Sequence, residues 1–241
     1  MNDLKEKVIV VTGAAQGLGA AICSELAKDG AWIMATDINS GKLDNMKKDI
    51  EGSGGNLDTY SMDVSDERSV EETLKNIADK HGGIDIVINN AGIDFCKSIE
   101  EISYNEWHTE IKVNLIGPFN VSKAAYPYLK KKGKGHIINI SSTASKRAWP
   151  NASAYHASKW GLLGFSHALL TEAKKDNIKV TALVAGGMKT PFILDRFPDV
   201  DPDVLQEPAN VADTIRFILC QPDATVIPEV MVLPMRETSW P

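Results

Sequence analysis

Tyr155 and Lys159 stand four residues apart in a stretch of helical composition. Side chains at i and i+4 lie on the same face of a helix, so the phenol and the ammonium can serve one site. A free tyrosine has a pKa of about 10, and a cation held nearby lowers it by favouring the phenolate. We therefore expect Tyr155 to transfer protons with a pKa that Lys159 lowers. The pair alone would also fit an ordinary helix surface. The neighbouring motifs are needed to distinguish a catalytic pair from a surface pair.

Two serines end the strand that is predicted before this helix. Residues 136–140 form an apolar, β-branched run, and Ser141 and Ser142 follow it directly. Neighbouring strand residues point to opposite faces, so the two hydroxyls do not both face one site. Ser142 stands thirteen residues before Tyr155. This spacing favours Ser142 over Ser141 as the hydroxyl beside the tyrosine.

A glycine-rich turn follows the first apolar run, at residues 8–11. Residues 12–19 read Thr-Gly-Ala-Ala-Gln-Gly-Leu-Gly and open a helical pattern. A pyrophosphate bound at a helix N-terminus needs a tight turn, a close backbone approach and free amide donors, and glycine allows all three. The same sequence would also fit a plain strand-to-helix turn.

Asp37 ends the second predicted strand and favours the cofactor interpretation. A carboxylate at this distance from the glycine-rich turn accepts hydrogen bonds from an adenosine ribose diol and repels a 2′-phosphate. Residues 35–39 contain no Arg or Lys that could receive such a phosphate. We therefore expect NAD as the cofactor, with NADP disfavoured.

Short β-branched runs alternate with helical patterns along the chain, as in parallel sheets covered on both faces. The order implies an α/β fold: a Rossmann-type doubly wound parallel sheet of about seven strands with helices on both faces. We expect one domain over residues 1–241. Residues 191–208 lose the rhythm and contain four prolines, which predicts a long loop that could act as a substrate lid.

Composition excludes several classes of function. The chain has 241 residues and a formal net charge of −6, which disfavours nucleic acids and anionic membranes as partners. No secretory signal precedes the first strand and no apolar run could span a membrane, so the cytoplasm is expected. The five histidines and three cysteines show no metal-ligand spacing, and we expect no metal.

In order and spacing, these motifs resemble the short-chain dehydrogenase/reductase family, from about residue 7 to about residue 190. The TGxxxGxG turn and the YxxxK pair carry the resemblance, together with Ser142, Asn114 in a helical segment, and residues 90–92 after the fourth strand. It implies hydride transfer between NAD(H) and a secondary alcohol or ketone. Tyr155 would be the general acid/base and Ser142 would position the substrate oxygen. Lys159 would hold the nicotinamide ribose, and Asn114 would hold a water linking Lys159 to solvent.

The resemblance also implies a set of cofactor and substrate contacts. Trp149 would wall a largely apolar substrate pocket with residues of the 191–208 loop. The expected contacts are Gly13, Gln16, Gly17, Leu18 and Gly19 with the pyrophosphate, Asp63 and Val64 with adenine, Asn90, Ala91 and Gly92 with the adenosine side, and Met188 and Thr190 with the nicotinamide carboxamide.

Two segments depart from the family pattern. The turn after the sixth strand reads Ala185-Gly186-Gly187 where the family has a proline, so the nicotinamide end is expected to be looser. The C-terminus lacks the glycine-rich ending of many relatives, which leaves open whether the expected homo-oligomer is a homodimer or a homotetramer. The substrate is not specified, because residues 93–98, 143–151 and 191–207 vary freely on a shared scaffold.

Two alternatives stay open at this stage. One is a non-catalytic NAD-binding regulatory protein on the same fold, because a fold alone does not specify function. An intact set of Ser142, Tyr155, Lys159 and Asn114 argues against it. The other is a methyltransferase, which would use the glycine-rich turn but would leave Tyr155 and Lys159 without a role.

Overall fold

The computed structural model describes residues 4–237. Residues 1–3, part of the chain start that was interpreted as lacking a secretory signal, lie outside the described residues. The described part contains a parallel sheet of seven strands. The strands are β1 (Val8–Thr12), β2 (Trp32–Asp37), β3 (Asn56–Ser61), β4 (Ile86–Asn89), β5 (Gly135–Ser142), β6 (Ile178–Ala185) and β7 (Glu229–Val232).

The strand order is β3-β2-β1-β4-β5-β6-β7, and all neighbouring strands are parallel. The direction of winding reverses between β1 and β4, and the carboxyl ends of strands at such a switch point flank a ligand crevice. This confirms the predicted Rossmann-type doubly wound sheet. The strand with the least apolar sequence, β3, lies at one edge of the sheet.

Helices cover both faces of the sheet. Alternating residues of β1 show this, because Ile9 and Val11 pack into one buried apolar cluster while Val8 and Val10 pack into another. The helices are α1 (Gly17–Ala27), α2 (Ser40–Gly52), α3 (Glu67–His81), α4 (Tyr104–Ile111), α5 (Gly117–Lys131), α6 (Ser153–Ala173), α7 (Pro191–Leu194) and α8 (Pro208–Leu219).

Local signals explain several helix ends. Asp66 caps α3 by accepting a hydrogen bond from the backbone N–H of Arg68, and Gly82 ends that helix in the left-handed conformation with φ of 73°. Ser103 and Glu106 form a capping box at the start of α4. These caps fix the starts of two helices that flank the carboxyl edge of the sheet.

The segment at residues 191–208 is more ordered than a plain loop. It begins with α7, and a 3-10 turn follows at Pro202–Val204. Gln206 then forms an isolated parallel bridge with Met188. Proline at the first position of a helix is compatible with helical geometry, which is why Pro191, Pro202 and Pro208 begin helical turns here instead of excluding them. No helix within residues 4–237 is both long and apolar enough to cross a membrane.

Candidate active site

A cavity of about 670 Å³ opens at the carboxyl edge of the sheet. Most of the predicted site residues line it, although they are spread over more than 170 positions of the chain (13 to 190). Those that line it are Gly13, Gln16, Gly17, Leu18, Asp37, Asp63, Val64, Asn90, Ala91, Gly92, Ser142, Trp149, Tyr155, Lys159, Met188 and Thr190. Gly19 and Asn114 do not line it.

The glycine-rich turn is packed too closely for side chains. A Cβ at Gly13, whose φ is +63°, would lie 2.7 Å from the Ala91 Cα. A Cβ at Gly19 would lie 2.1 Å from the Gly13 carbonyl oxygen. The first-turn amides of α1 have no acceptor inside the helix, so they are free to bind an anion. The turn therefore fits a pyrophosphate.

The prediction that Gly19 contacts the pyrophosphate is not supported by this geometry. Gly19 lies beneath the turn, where its missing side chain lets Gly13 and the Asn90 side chain approach α1. The third glycine of such a motif serves helix–strand packing. Gly19 therefore shapes the cradle without lining it.

The end of the cavity beside the glycine-rich turn, here called the adenosine end after its predicted ligand, is organised by hydrogen bonds between neighbouring strand ends. The Thr12 hydroxyl accepts hydrogen bonds from the backbone N–H groups of Asn90 and Ala91, and the Asn90 amide donates to the carbonyls of Thr12 and Gly13. Asp63 is exposed at the cavity rim. Its carboxylate already accepts hydrogen bonds from the amide and hydroxyl of Ser65.

Asp37 faces this end with a fixed carboxylate. Its two oxygens accept hydrogen bonds from the backbone N–H groups of Ala15 and Asn39, at 3.1 and 2.9 Å. Lys42 reaches the same area from the first turn of α2 and donates to the Gln16 side chain. A cation thus lies close to Asp37, just beyond residues 35–39.

Tyr155 is buried at the start of α6 and lines the same cavity as Ser142. Burial raises the pKa of Tyr155 above its ordinary value, and the Ser142 hydroxyl opposes this. The expectation of a pKa lowered by Lys159 is therefore wrong for this structure. The Lys159 Nζ lies 5.5 Å from the Tyr155 ring centroid and is engaged elsewhere, so desolvation dominates.

The Lys159 ammonium is also buried, and it donates a hydrogen bond to the Ile140 carbonyl at 2.9 Å. Burial lowers its pKa to about 8, and the carboxylates of Glu110 and Asp94 oppose the shift. Ser141 lines the same cavity, but its hydroxyl points to the backbone carbonyl of Lys159. Of the two serines, Ser142 is the one whose hydroxyl affects the pKa of Tyr155.

Asn114 lies in a π-helical turn, Lys112–Ile116, that joins α4 to α5. The sequence predicted an ordinary helix here. The Asn114 amide accepts from the N–H of Ile93 and donates to its carbonyl, both at 2.8 Å, and it also donates to the Ser158 hydroxyl. A π-turn widens the helix locally and is frequent at functional sites. Asn114 therefore ties α4 to the loop after β4 and to α6, and it is fully buried.

The turn after β6 lacks proline but is held by hydrogen bonds. The N–H of Lys189 donates to the Gln206 carbonyl, and the N–H of Gln206 donates to the Gly187 carbonyl. Glu237 accepts a hydrogen bond from the Gly187 N–H at 2.8 Å. Contacts from two distant segments thus constrain the backbone that proline would have fixed.

Trp149 lies at the cavity mouth beside a structural histidine. Its ring packs edge-on against His156, with centroids 4.3 Å apart. His156 donates from Nδ1 to the Ala144 carbonyl and accepts at Nε2 from the Trp149 N–H, which assigns its neutral tautomer. Both ring nitrogens are occupied, so His156 positions Trp149.

Sequence reasoning missed a group of charged side chains on the reaction side. Arg196 stacks on the Phe192 ring at 3.6 Å, and Phe192 packs on Tyr155 with centroids 5.9 Å apart. The Arg196 guanidinium donates to the Asp94 carbonyl and lies 3.9 Å from its carboxylate. Glu110 is buried nearby, at 1% exposure. No spacing rule links these positions, because they come from three separate segments.

A second cavity, of about 720 Å³, lies at the amino edge of the sheet, where Lys7, Asp85 and His136 are among its lining residues. It contains none of the nominated residues. Among residues 4–237, no group of His, Cys, Asp or Glu side chains is arranged to hold a metal ion.

Comparisons with known proteins agree with this geometry. The family model described as short chain dehydrogenase matches residues 7–200. A 3-oxoacyl-acyl-carrier-protein reductase of Thermotoga maritima is 36% identical over 189 residues, covering 78% of this chain and 77% of that protein. A D-beta-hydroxybutyrate dehydrogenase of Rhizobium meliloti is 33% identical over 195 residues, covering 80% and 76%.

A solved structure extends the agreement to the whole fold. The crystal structure of a metagenomic short-chain oxidoreductase in complex with NADP superposes with a TM-score of 0.86 at 31% identity, covering 97% of this chain and 99% of that one. The motifs, the strand order and these matches all point to one family. The chain is an oxidoreductase that belongs to the short-chain dehydrogenase family.

Proposed function

We propose that this chain transfers a hydride between NAD(H) and a secondary alcohol or ketone, with Tyr155 as the general acid/base. One observation carries the proposal: Tyr155, Ser142 and Lys159 line the same cavity as the glycine-rich turn. A bound dinucleotide and a reacting carbonyl can therefore occupy one continuous space. A protein that only binds NAD would not need these three side chains.

When bound, a nicotinamide cofactor would supply the hydride chemistry, and the chain's own residues move the proton. In ketone reduction, the Tyr155 hydroxyl donates its proton to the substrate oxygen while the Ser142 hydroxyl hydrogen bonds that oxygen. In alcohol oxidation, Tyr155 accepts the proton. The Ser142 hydroxyl and the charge of Arg196 lower the pKa of the phenol and so favour the phenolate that forms.

The raised pKa of Tyr155 sets the pH dependence. The phenol is protonated at neutral pH, which is the form that ketone reduction needs. Oxidation needs the phenolate, so its rate rises with pH. Reduction loses rate when the pH passes the pKa of the phenol.

Asp37 supports NAD as the cofactor. Both of its oxygens are fixed by backbone N–H groups, so the carboxylate cannot easily turn away from a 2′-phosphate and would repel it. The metagenomic relative binds NADP, and Lys42 provides a cation close by. The preference is therefore a question of charge balance, and a comparison of the two cofactors tests it.

The substrate pocket is largely apolar, with Trp149, Phe192 and Phe197 on its walls and Arg196 and Asp94 among its polar residues. Two relatives are named as a 3-oxoacyl-acyl-carrier-protein reductase and a D-beta-hydroxybutyrate dehydrogenase, and both names place an oxo or hydroxyl group on an acyl chain. We extend that class to this pocket: a secondary alcohol or ketone within an apolar chain. Residues 191–208 would close over it as a lid.

We further propose that each chain folds as one domain. We propose that the chains assemble into a homodimer or homotetramer in the cytoplasm. Ile116, Phe119 and Trp160 are large apolar side chains left exposed on the π-turn, α5 and α6. Their burial between subunits would remove them from water. Light scattering of the purified protein gives the subunit number.

The experiment that tests the function follows the absorbance of reduced nicotinamide. The protein is assayed with NAD and with NADP against secondary alcohols, ketones, 3-hydroxy acids and 3-oxoacyl thioesters, with Tyr155→Phe as the control. Turnover of one class, lost in the control, supports the proposal. Clear NAD binding without turnover of any class would contradict it and favour a non-catalytic NAD-binding protein.

A further inference from the structure

Glu110 is a buried carboxyl group that the proposed reaction does not use. It lies on α4 at 1% exposure. One oxygen accepts a long hydrogen bond of 3.4 Å from the Phe95 N–H, and the other, Oε1, has no hydrogen-bond partner among the described residues. A buried carboxylate that is short of donors is unfavourable, so its presence calls for a reason.

Its position relative to the active site supplies one. Glu110 stands one helical turn before Asn114, and α4 packs against α6, which carries Lys159. A Cβ at Gly92 would lie 3.4 Å from the Asn114 Oδ1 and 3.8 Å from the Lys159 Nζ. Asn114 and the Lys159 ammonium therefore flank Gly92. Glu110 lies four residues before Asn114, at the end of α4.

We propose that Glu110 is the buried counter-charge of Lys159, a positioning residue that keeps the lysine in its ammonium form at the active site. The effect of Glu110 on catalysis rests on the proposed function, whereas a titration of Lys159 tests the proposal without it. Lys159 has no carboxylate hydrogen bond of its own in the described structure, since its ammonium donates to the Ile140 carbonyl. Both groups are buried, and a charge in the protein interior acts on a neighbouring group with little screening.

The electrostatics of the two groups are reciprocal. The Glu110 carboxylate raises the pKa of Lys159 against the effect of burial, and its effect is larger than that of Asp94. Burial and then Asp94 raise the pKa of Glu110 to about 7, while the Phe95 N–H, Arg196 and Lys159 lower it. Above neutral pH Glu110 is therefore an anion, in the range where Lys159 would otherwise lose its proton.

Other groups face Glu110 and enter the same balance. These groups come from several elements and loops and also affect the charge of Glu110, so the test must measure Lys159 itself. The titratable or charged groups that interact with Glu110 are Asp94 and Cys96 after β4, Tyr155 and Lys159 on α6, and Arg196 after α7.

The test measures the pKa of Lys159 directly, without cofactor, by NMR of protein labelled with carbon-13 at the lysine ε-carbons. Lys159→Met assigns the signal. Glu110→Gln keeps the volume and an acceptor for the Phe95 N–H but removes the charge. We expect it to lower the pKa of Lys159 by about one unit, whereas Glu110→Asp should keep most of the higher value.

Two results would overturn the proposal. One is an unchanged pKa of Lys159 in Glu110→Gln. The other is an equal shift in Glu110→Asp and Glu110→Gln, which would trace the effect to packing. If Glu110→Gln fails to fold, the reciprocal experiment decides: Lys159→Met should raise the pKa of Glu110, followed on carbon-13 glutamate labels, and an unchanged value contradicts the proposal.

Kinetics separate this inference from the proposed function. Loss of Glu110 lowers the pKa of both Lys159 and Tyr155, since its charge raises both. The alkaline limb of kcat/KM for ketone reduction should therefore move to lower pH in Glu110→Gln, with Glu110→Asp restoring it. If no ketone is reduced, the proposed function fails, while the NMR titration still decides the role of Glu110.

Discussion

The two ends of the cavity are built differently. The adenosine end depends on the main chain: Gly13 lies against Ala91, and the Thr12 hydroxyl accepts from two backbone N–H groups. The reaction end depends on buried charges from separate segments, with Lys159 from α6 and Glu110 from α4. One end is a fixed cradle and the other is an electrostatic balance.

This difference determines how each end should respond to change. A cradle of glycines and backbone hydrogen bonds responds to added volume, because interiors tolerate extra atoms poorly. A balance of buried charges responds to pH and to changes of charge, because each group shifts the pKa of the others. Substitutions at the two ends should therefore separate binding from chemistry.

The largest separation is expected at Tyr155. Tyr155→Phe removes the proton donor and keeps the ring that packs on Phe192, so kcat should fall by roughly 100-fold to 10,000-fold while NAD binding is unchanged. Stopped-flow absorbance and NADH fluorescence titration measure the two quantities. A variant that keeps kcat within tenfold would show that another group transfers the proton.

Ser142→Ala should follow, with a loss of roughly 100-fold to 1,000-fold in kcat, the usual effect of removing one donor to a developing oxyanion. Its matched control is Ser141→Ala, which removes a neighbouring hydroxyl that points to the Lys159 carbonyl. The control should stay within a few-fold of the parent. If Ser141→Ala loses turnover instead, the assignment of the two serines is reversed.

Gly19→Ala should break the adenosine end. The new Cβ would lie too close to the Gly13 carbonyl oxygen, so the turn must shift, at an expected ~1–3 kcal/mol or roughly fivefold to 150-fold in NAD affinity. Gly164→Ala is the control, since a Cβ there meets no atom of the described residues within 4 Å. Calorimetry should show weaker NAD binding only in Gly19→Ala, and equal affinities would refute the cradle argument.

The contrast between the two ends also explains what the sequence could predict. Spacing rules found the strands, the glycine-rich turn, Asp37 and the Tyr155–Lys159 pair, because each depends on residues close in sequence. The edge strand β3 was weak, since its pattern at residues 56–61 includes Asp58 and Thr59.

Other features of the site needed the folded chain. The pKa of Tyr155 was predicted in the wrong direction because burial, which no spacing reveals, outweighs a lysine whose Nζ lies 5.5 Å from the ring centroid. Glu110, Arg196 and Glu237 were missed because folding brings them to the site from remote positions. A charged residue at a position with helical spacing from Asn114 was the one available signal for Glu110.

Asp37→Ser should alter cofactor choice without altering chemistry. Removing the carboxylate removes its repulsion of a 2′-phosphate and should reduce the preference for NAD over NADP by at least about tenfold. Adding Lys42→Ala should reverse part of the gain with NADP, since Lys42 reaches Gln16 at the same end. Ratios of kcat/KM for the two cofactors measure this, and an unchanged ratio would rule out Asp37 as the discriminating residue.

The smallest expected effect lies at Glu237. Here NAD and ADP-ribose, which lacks the nicotinamide, can be used to compare the adenosine end of the cavity with the reaction end. Its carboxylate accepts a hydrogen bond from the Gly187 N–H, and a hydrogen bond of this kind contributes about 0.5–1.5 kcal/mol. Glu237→Ala should therefore weaken NAD binding by about threefold, whereas Glu237→Gln keeps an acceptor and should stay near the parent. ADP-ribose should bind all three proteins equally. If ADP-ribose binding also weakens in Glu237→Ala, the turn after β6 supports the whole cavity, and the division between a fixed cradle and a separately held reaction end is wrong.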